Sequence, residues 1–461
     1  MAKKKRILWV TFDFPPRQSS GVFRPIKIYK YLDKDAFDIE FLTQSATQPG
    51  MPMDPTLLEE VVPPPTVHRV PNIVLSSYVD GMARPRDGNG KKHERQTGPA
   101  ESGARPVRSG WRALPRRAAK RIYVLLAMIL YFPDQYFVWG WLAAFKALSL
   151  HLRNRYDLVY TTSHPESGHL AGLVLELFGV KWVADYRYAG ILWIKKLLTY
   201  PKKRVREWSE FRYQARVLRK ADAVITQSET IKENFREAFG VEADRMTVIS
   251  SGYDEQDFAG LNGHPPPFER AAGEIHVLHA GASYLDVADQ NRLMEVINRL
   301  GEELRREGKG IVLHALGDDL FRPELKPGIR GFRYFFHGFV PHFKLAPYLA
   351  AAHWYLLLTV TSVSGAGTTD GYLPSKMWEY MRGGKPILLF GPPDEVWRII
   401  DHAGAGLYMG RFESQAGVSA PDLVERVRSL APIASRVEQH SWKSRARSMQ
   451  QVFSALLEGQ S

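Results

Sequence analysis

Short continuous apolar runs alternate along this chain with longer stretches whose apolar residues recur at every third or fourth position. Runs of the first kind predict buried strands and stretches of the second kind predict amphipathic helices. Residues 7–10 form the first strand, followed by a loop of prolines and small residues that ends at Gly21. Phe23, Ile26, Ile28, Tyr31 and Leu32 then carry helical spacing, and residues 37–42 alternate as a second strand. Residues 44–84 are proline-rich and predict nothing definite. Further strands are expected at 158–162, 182–185, 223–227 and 246–250, with a helix over 168–178 and a long charged helix over 203–219. A second series starts with a strand at 275–280 and a helix over 289–307. It continues with strands at 311–316, 334–337, 354–360, 385–390 and 407–409, and with closing helices at 421–430 and 441–457. Strands alternating with helices in both halves predict an α/β protein of two doubly wound, Rossmann-like domains facing across a cleft. The prolines and glycines of 258–273 mark the boundary. The expected domains are 1–257 and 274–435, with 436–461 a closing helix packing back on the first.

Composition sets bounds on this picture. At 461 residues two or three domains are expected, and an apolar fraction of 44% can fill their cores. There is no cysteine, which removes disulfides, thiolate nucleophiles and cysteine–zinc sites, and fits a cytoplasmic protein. The basic N-terminus is followed by too short an apolar run for a secretory leader. The net charge of +13 is unevenly spread, since residues 84–121 hold twelve Lys and Arg against three Asp and Glu. That segment, rich also in Gly and Pro, predicts a flexible insertion. No nucleic-acid motif accompanies it, so nucleic acid is not an expected partner. Attraction to anionic lipid heads or to a diphosphate-bearing acceptor is one reading, and a solvated linker the other. Residues 122–152 are apolar and aromatic but interrupted at Pro133-Asp134, so neither run reaches the roughly 20 residues of a membrane span. Two helices, buried in the core or lying at a membrane interface, are the alternatives, and they place a peripheral membrane contact within 84–145.

Chemistry gathers in D-G-Y-L-P-S-K-M-W-E-Y-M-R-G-G-K-P-I-L-L-F at 370–390. A helix is expected over 374–382, opened by Pro374 and stopped by Gly383-Gly384. Ser375, Glu379 and Arg382 share one face, bordered by Lys376, with Met377 and Met381 opposite. A helix N-terminus following a small-residue loop attracts phosphates, and Glu379 one turn inside suits a sugar diol. A solvated Lys376–Glu379 surface pair is the plainer alternative. Other constellations fail: Gly308-Lys309 lacks the P-loop spacing, and the glycines of 365–371 carry one residue too many for a dinucleotide fingerprint. Asp33-Lys-Asp35 reads as a surface turn, and His276 and His279 face opposite sides of one strand, so no residue is assigned to a metal. Arg292 and Lys376 are the basic groups best placed for an anion. His164 and Asp185 stand at predicted strand ends, where ligand-facing residues collect, and Arg187 belongs to the same edge. His164, which could relay a proton near neutral pH, and Asp185 are the catalytic candidates, and Asp185 could instead form a buried strand-end ion pair with Arg187.

The segment I-L-W-V-T-F-D-F-P-P-R-Q-S-S-G-V-F-R at 7–24 resembles the first strand and loop of family 4 glycosyltransferases, the retaining GT-B class. P-D-Q-Y-F-V-W at 133–139, Y-D-L-V-Y-T-T-S-H-P at 156–165, W-V-A-D-Y-R at 182–187 and A-D-A-V-I-T-Q-S at 221–228 resemble later parts of its first domain. T-V-I-S-S-G-Y-D-E-Q-D-F at 247–258 is similar to that domain's end, and Y-L-P-S-K-M-W-E-Y-M-R-G-G-K-P-I-L to the nucleotide-sugar segment of the second. The resemblance implies a nucleoside-diphosphate sugar held by the second domain and a glycan or lipid-linked acceptor held by the first, with neither cofactor nor divalent metal. It implies that Glu379 binds the ribose hydroxyls, that Gly338, Phe339 and Val340 border the base, and that Gly21, Gly281 and Ser283 approach the diphosphate. Tyr372, Ser375, Lys376 and Arg292 complete the expected donor site. Three positions depart from the family pattern. Gly371 stands where the first of two glutamates belongs, the loop after the second domain's first strand lacks a basic pair, and Arg187 is followed by Tyr188-Ala189-Gly190. The expectation is a transferase of surface polysaccharide or glycolipid synthesis, at the inner face of the membrane. A catalytically silent GT-B protein, or a nucleotide-sugar epimerase, is the alternative.

Overall fold

The computed structural model describes residues 3–45, 53–74, 132–190, 204–259, 265–283, 285–359, 371–409 and 425–458 without 428 and 431. The basic segment 84–121 and most of the glycine-rich loop before residue 371 lie outside these. The chain forms two compact units. The first comprises Met1–Thr226, Lys232–Val248 and Ala446–Ser461, and the second Gln227–Ile231 and Ile249–Arg445.

The first unit is built on a seven-stranded parallel sheet in the order β3-β2-β1-β4-β5-β6-β7. Its strands are β1 Lys5–Val10, β2 Phe37–Gln44, β3 Val67–Val70, β4 Leu158–Thr162, β5 Lys181–Tyr186, β6 Ala223–Thr226 and β7 Met246–Val248. Ile7, Leu8, Trp9 and Val10 have no exposed surface, as expected for a strand covered on both faces. The alternation seen at 37–42 is not a solvent face: only Asp38 of β2 is exposed. Glu40 turns inward because Arg6 donates to its Oε1 at 2.7 Å and the Tyr156 hydroxyl donates to its Oε2 at 2.7 Å. Strand β3 lies within the proline-rich stretch that sequence left unread. It is a short edge strand, and such strands need little apolar patterning.

The helices of this unit are α1 Phe23–Tyr31, α2 Phe137–Asn154, α3 Leu170–Glu176, α4 Arg204–Lys220 and most of α5 Glu229–Phe239. The predicted helix over 168–178 is a single 3-10 turn at Glu166–His169 running into the shorter α3. Helix α2 is neither wholly buried nor wholly exposed. Trp139, Gly140, Ala143, Ala144, Ala147 and Leu150 face the core, while Trp141, Phe145 and Leu152 are exposed.

The second unit repeats the plan with six parallel strands in the order β10-β9-β8-β11-β12-β13. These are β8 Glu274–Gly281, β9 Gly310–Gly317, β10 Phe332–Phe336, β11 Trp354–Leu358, β12 Ile387–Phe390 and β13 Gly406–Tyr408. Its helices are α6 Val287–Arg306, α7 Leu345–Ala351, α8 Lys376–Gly383, α9 Glu395–His402 and α10 Ala434–Glu438. The last helix, α11 Trp442–Glu458, begins in this unit, and from Ala446 onward it belongs to the first. Neighbouring strand residues go to opposite cores, as the two-residue period of a strand requires. Val277 and Leu356 join Leu293, Ile297 and Leu300 of α6 on one face. Leu278 and Leu357 join Trp378 and Tyr380 of α8 on the other. Helix α6 starts at Val287 because the Asp286 carboxylate caps it, accepting from the Asp289 N–H at 2.8 Å.

Candidate active site

Strand order reverses between β8 and β11 in the second unit, and in such sheets ligands collect beyond the C-terminal strand ends near the reversal. Three loops are stitched together at this edge. The Gly317 N–H donates to the Gly338 carbonyl at 2.7 Å, and the Asp318 N–H donates to the Gly281 carbonyl at 3.0 Å. The Ser283 N–H donates to the Asp318 carboxylate at 3.0 Å. Gly317 has φ of 97°, and a Cβ there would lie 2.7 Å from the Gly281 oxygen, so only glycine permits this approach.

Helix α8 brings side chains to the same edge. Its Met377, Trp378, Tyr380 and Met381 are buried. The Tyr380 hydroxyl accepts from the Ala280 N–H at 2.8 Å, which pins the helix to the end of β8. The helix begins at Lys376, two residues later than predicted, and closes at Gly384 in the left-handed region with φ of 70°. A Cβ on Gly281 would lie 1.4 Å from Lys376 Nζ. The lysine ammonium therefore occupies the space a side chain at 281 would need. Burial lowers its pKa from the ordinary lysine value, while Glu379 and Asp318 act to raise it. One turn further, Glu379 Oε1 lies 2.9 Å from His342 Nε2. Glu379, His342, Lys344, Tyr348, Gln256 and Asp257 contribute to the lining of a cavity of about 620 Å³ within this unit.

The other predicted donor residues take varied positions. Phe339 is 68% exposed, and Val340 packs partly on the sheet core. Ser375 is exposed at the first position before the helix, and Tyr372 is half-buried. Arg292 sits on α6 in an ion pair with Asp289 of the same helix, its side chain 54% exposed. Gly371 has φ of 81°, and a Cβ there would meet Ser228 Oγ at 2.4 Å and the Ile231 nitrogen at 3.0 Å, all within the second unit. A glutamate cannot stand at that position without moving backbone. The histidine pair dismissed as a metal site is indeed divided. His276 Nδ1 meets His314 Nε2 at 2.9 Å, whereas His279 Nδ1 lies 3.0 Å from the Leu356 carbonyl oxygen.

In the first unit the order reverses between β1 and β4. Asp185, at the end of β5, is fully buried and held bidentately by Arg24, with Nε–Oδ2 at 2.7 Å and the second nitrogen to Oδ1 at 2.9 Å. The Tyr160 hydroxyl also donates to it, as does Thr162 Oγ1 at 3.2 Å. The expected ion pair thus exists, but its cation is Arg24 of α1, not Arg187. Arg187 instead stands over the Gly21 loop. A Cβ on Gly21 would meet Asp13 Oδ2 at 1.9 Å and the Arg187 guanidinium at 3.0 Å. His164 keeps an exposed edge. Burial by the surrounding protein lowers its pKa, and Asp134 and Asp13 act to raise it. Asp134 was visible in the sequence as the charge interrupting an apolar run and as part of the family-like segment at 133–139, without a role. Here it accepts from the Tyr136 N–H at 2.7 Å, the Ser167 N–H at 2.7 Å and the Ser167 hydroxyl at 3.0 Å. Tyr136 packs edge-on against the His164 ring at 6.2 Å. Neighbouring Glu166 is pushed up to about 8 by its burial and by the charge of Asp134.

Two doubly wound parallel sheets in sequence are the architecture of a GT-B protein, and known proteins share it. Residues 28–252 match the glycosyl transferase 4-like domain. Sucrose-phosphate synthase of Thermosynechococcus elongatus superposes with a TM-score of 0.55 at 15% identity, over 99% of this chain and 100% of that one. A glycosyltransferase from Rickettsia africae gives 0.54 at 12%, over 98% and 99%. HepE of Anabaena, solved with UDP and glucose, gives 0.54 at 13%, over 98% and 100%. At such identities the structures speak for the fold, which is GT-B, and the matched domain for the class. No curated protein sequence matches the chain. The chain is a glycosyltransferase of the GT-B type, and it resembles family 4.

Proposed function

We propose that the protein transfers a sugar from a nucleoside-diphosphate sugar to a hydroxyl of a glycan or lipid-linked acceptor, with retention and without a divalent metal. The observation that carries this reading is Lys376 Nζ standing over the Gly281 backbone, with Glu379 one turn further along α8. When the bond from the sugar carbon to the donor diphosphate breaks, negative charge develops on the departing phosphate. A fixed ammonium, the N-terminus of α8 and the loop of Gly281 and Ser283 suit that charge. Glu379 suits the ribose hydroxyls, and Gly338, Phe339 and Val340 the base. Arg292, Tyr372 and Ser375 are assigned outer donor contacts. The Gly21 loop also suits the diphosphate, while the acceptor falls to the first unit, where His164 meets it and Asp185, locked to Arg24, holds the strand ends in place. The acceptor's proton leaves as its oxygen bonds to the sugar carbon, and we assign His164 to relay it. The product belongs to surface polysaccharide or glycolipid synthesis at the cytoplasmic face of a membrane, which the chain touches within 84–145. No helix among the described residues is long and apolar enough to cross one.

A hydrolysis and binding screen over several nucleotide sugars, on wild type and Glu379→Ala, tests this. The expected result is slow donor hydrolysis by wild type and weaker donor binding by the variant. Intact binding without turnover would favour the silent protein, and product formed without acceptor would favour the epimerase. Unchanged binding and turnover in Glu379→Ala would remove the donor site from α8.

A further inference from the structure

Helix α2 carries a stripe that the transferase chemistry leaves unused. Trp141, Phe145, Leu148 and Leu152 fall within an arc of about 60° on the helix. Trp141 is 45% exposed, Phe145 61% and Leu152 55%, and the Trp141 and Phe145 rings stack at 5.8 Å. Leu148 between them is half-buried. The following helix α3 packs along α2 and is followed by Leu177 and Phe178, exposed at 69% and 51%. Helix α2 has no Asp or Glu, while Lys146 and Arg153 lie on one side of the stripe and exposed Arg155 follows the helix.

We infer that this face of α2 docks on an anionic lipid bilayer; the inference rests on the lipid-linked acceptor of the preceding reading. Aromatic and leucine side chains beside basic groups, on a helix too polar overall to span, are what an interfacial helix presents to a membrane. The area argues the same way. Three such side chains, each about half exposed, offer on the order of 300 Å². A standard protein interface needs about 800 Å² from each partner. Shallow insertion among lipid heads has no such minimum.

The position of the helix gives docking a purpose. Tyr136, immediately before α2, packs on His164, and Phe12 of the Gly21 loop packs on Tyr136 at 4.6 Å and on Trp139 at 4.9 Å. The stripe begins within about two turns of that site. A helix lying in the lipid heads therefore brings the His164 edge to the depth at which a lipid-linked acceptor presents its hydroxyl.

The test is flotation of the full chain with vesicles of phosphatidylcholine alone and with about a third phosphatidylglycerol, alongside donor hydrolysis in solution. Wild type should float with the anionic vesicles. Trp141→Ser with Phe145→Ser should lower the bound fraction about tenfold or more. Lys146→Gln with Arg153→Gln should lower it by about tenfold at low salt and by less at high salt. Both doubles should keep the melting temperature and the donor hydrolysis of wild type. Flotation unchanged by the aromatic double, or a wild type that ignores vesicles and forms dimers dispersed by it, overturns the docking inference. Hydrolysis absent while flotation behaves as expected would instead sink the transferase reading and leave docking standing.

Discussion

The sheets of the two units share a six-strand order, yet their C-terminal edges are furnished in opposite ways. In the first unit the charged groups at the edge are answered by the protein itself: Asp185 by Arg24, and Asp134 by Tyr136 and Ser167. In the second unit the edge is mostly backbone, with Gly281, Gly317 and Gly338 drawn close and one ammonium laid over them. A diphosphate carries its own charge and needs donors around it, so a lining of bare backbone and a cation suits it. An acceptor hydroxyl is neutral and must be oriented, so a rigid set of side chains suits that. On the proposed reading, one architecture serves two ligands because the edge loops differ, not the sheets.

The sharpest way to break this contrast is at the buried pair. Arg24→Ala leaves Asp185 without its guanidinium inside the core, and urea denaturation should show the first unit destabilised by about 3–5 kcal/mol. The double variant Arg24→Leu with Asp185→Leu should recover much of that, and nucleotide affinity should be unaffected in both. A loss under about 1 kcal/mol in Arg24→Ala would mean the pair does not organise the edge.

Gly371→Glu, the change that would restore the family's missing carboxylate, tests the second unit next. With φ of 81° and Ser228 and Ile231 against it, the position resists any side chain. Thermal denaturation should show a loss of about 1–3 kcal/mol, with no gain in turnover. Higher turnover at wild-type stability would mean that the glycine is a lost catalytic group.

The smallest expected effect concerns acidity. His314 lies between His276 and His337 in a chain of ring contacts at 2.9 Å, stacked under Phe268 at 3.9 Å. Burial, and the neighbouring rings after it, push His314 down to about 3. It is neutral in the fold and charged near pH 6.5 in the unfolded chain, so its contribution is present above pH 6.5 and lost as pH falls toward about 3. The second unit should lose up to about 1.4 kcal/mol per pH unit below 6.5 from this group. His314→Gln should flatten the dependence of melting temperature on pH, and an unaltered slope would assign the acid sensitivity elsewhere.

What could be foreseen from the sequence follows from the range of the interactions. The strand at 158–162 and the helix around Glu379 are set by local apolar spacing, and both stand where that spacing placed them. Helix α8 opens two residues late because Pro374 and Ser375 lead into the first turn without joining it. Strand β3 escaped because an edge strand among prolines has almost no pattern of its own. The partner of Asp185 was sought nearby, at Arg187, whereas the fold supplies Arg24 from α1 through the third dimension. The loop after β8 offered no cation in sequence, and the structure places Lys376 there from a helix on the far side of β11 in the chain. Local signals are legible, and contacts between distant segments are not.

On the proposed reading, the second unit's edge holds a diphosphate under Lys376. Calorimetric titration of wild type and Lys376→Ala with a nucleoside diphosphate and with the matching nucleoside tests it most directly. The variant should bind the diphosphate about ten- to a hundredfold more weakly, as expected for a lost charge-assisted contact. The nucleoside, which has no phosphate to meet the ammonium, should change by less than about twofold. Equal losses for both ligands, or none for the diphosphate, would contradict it.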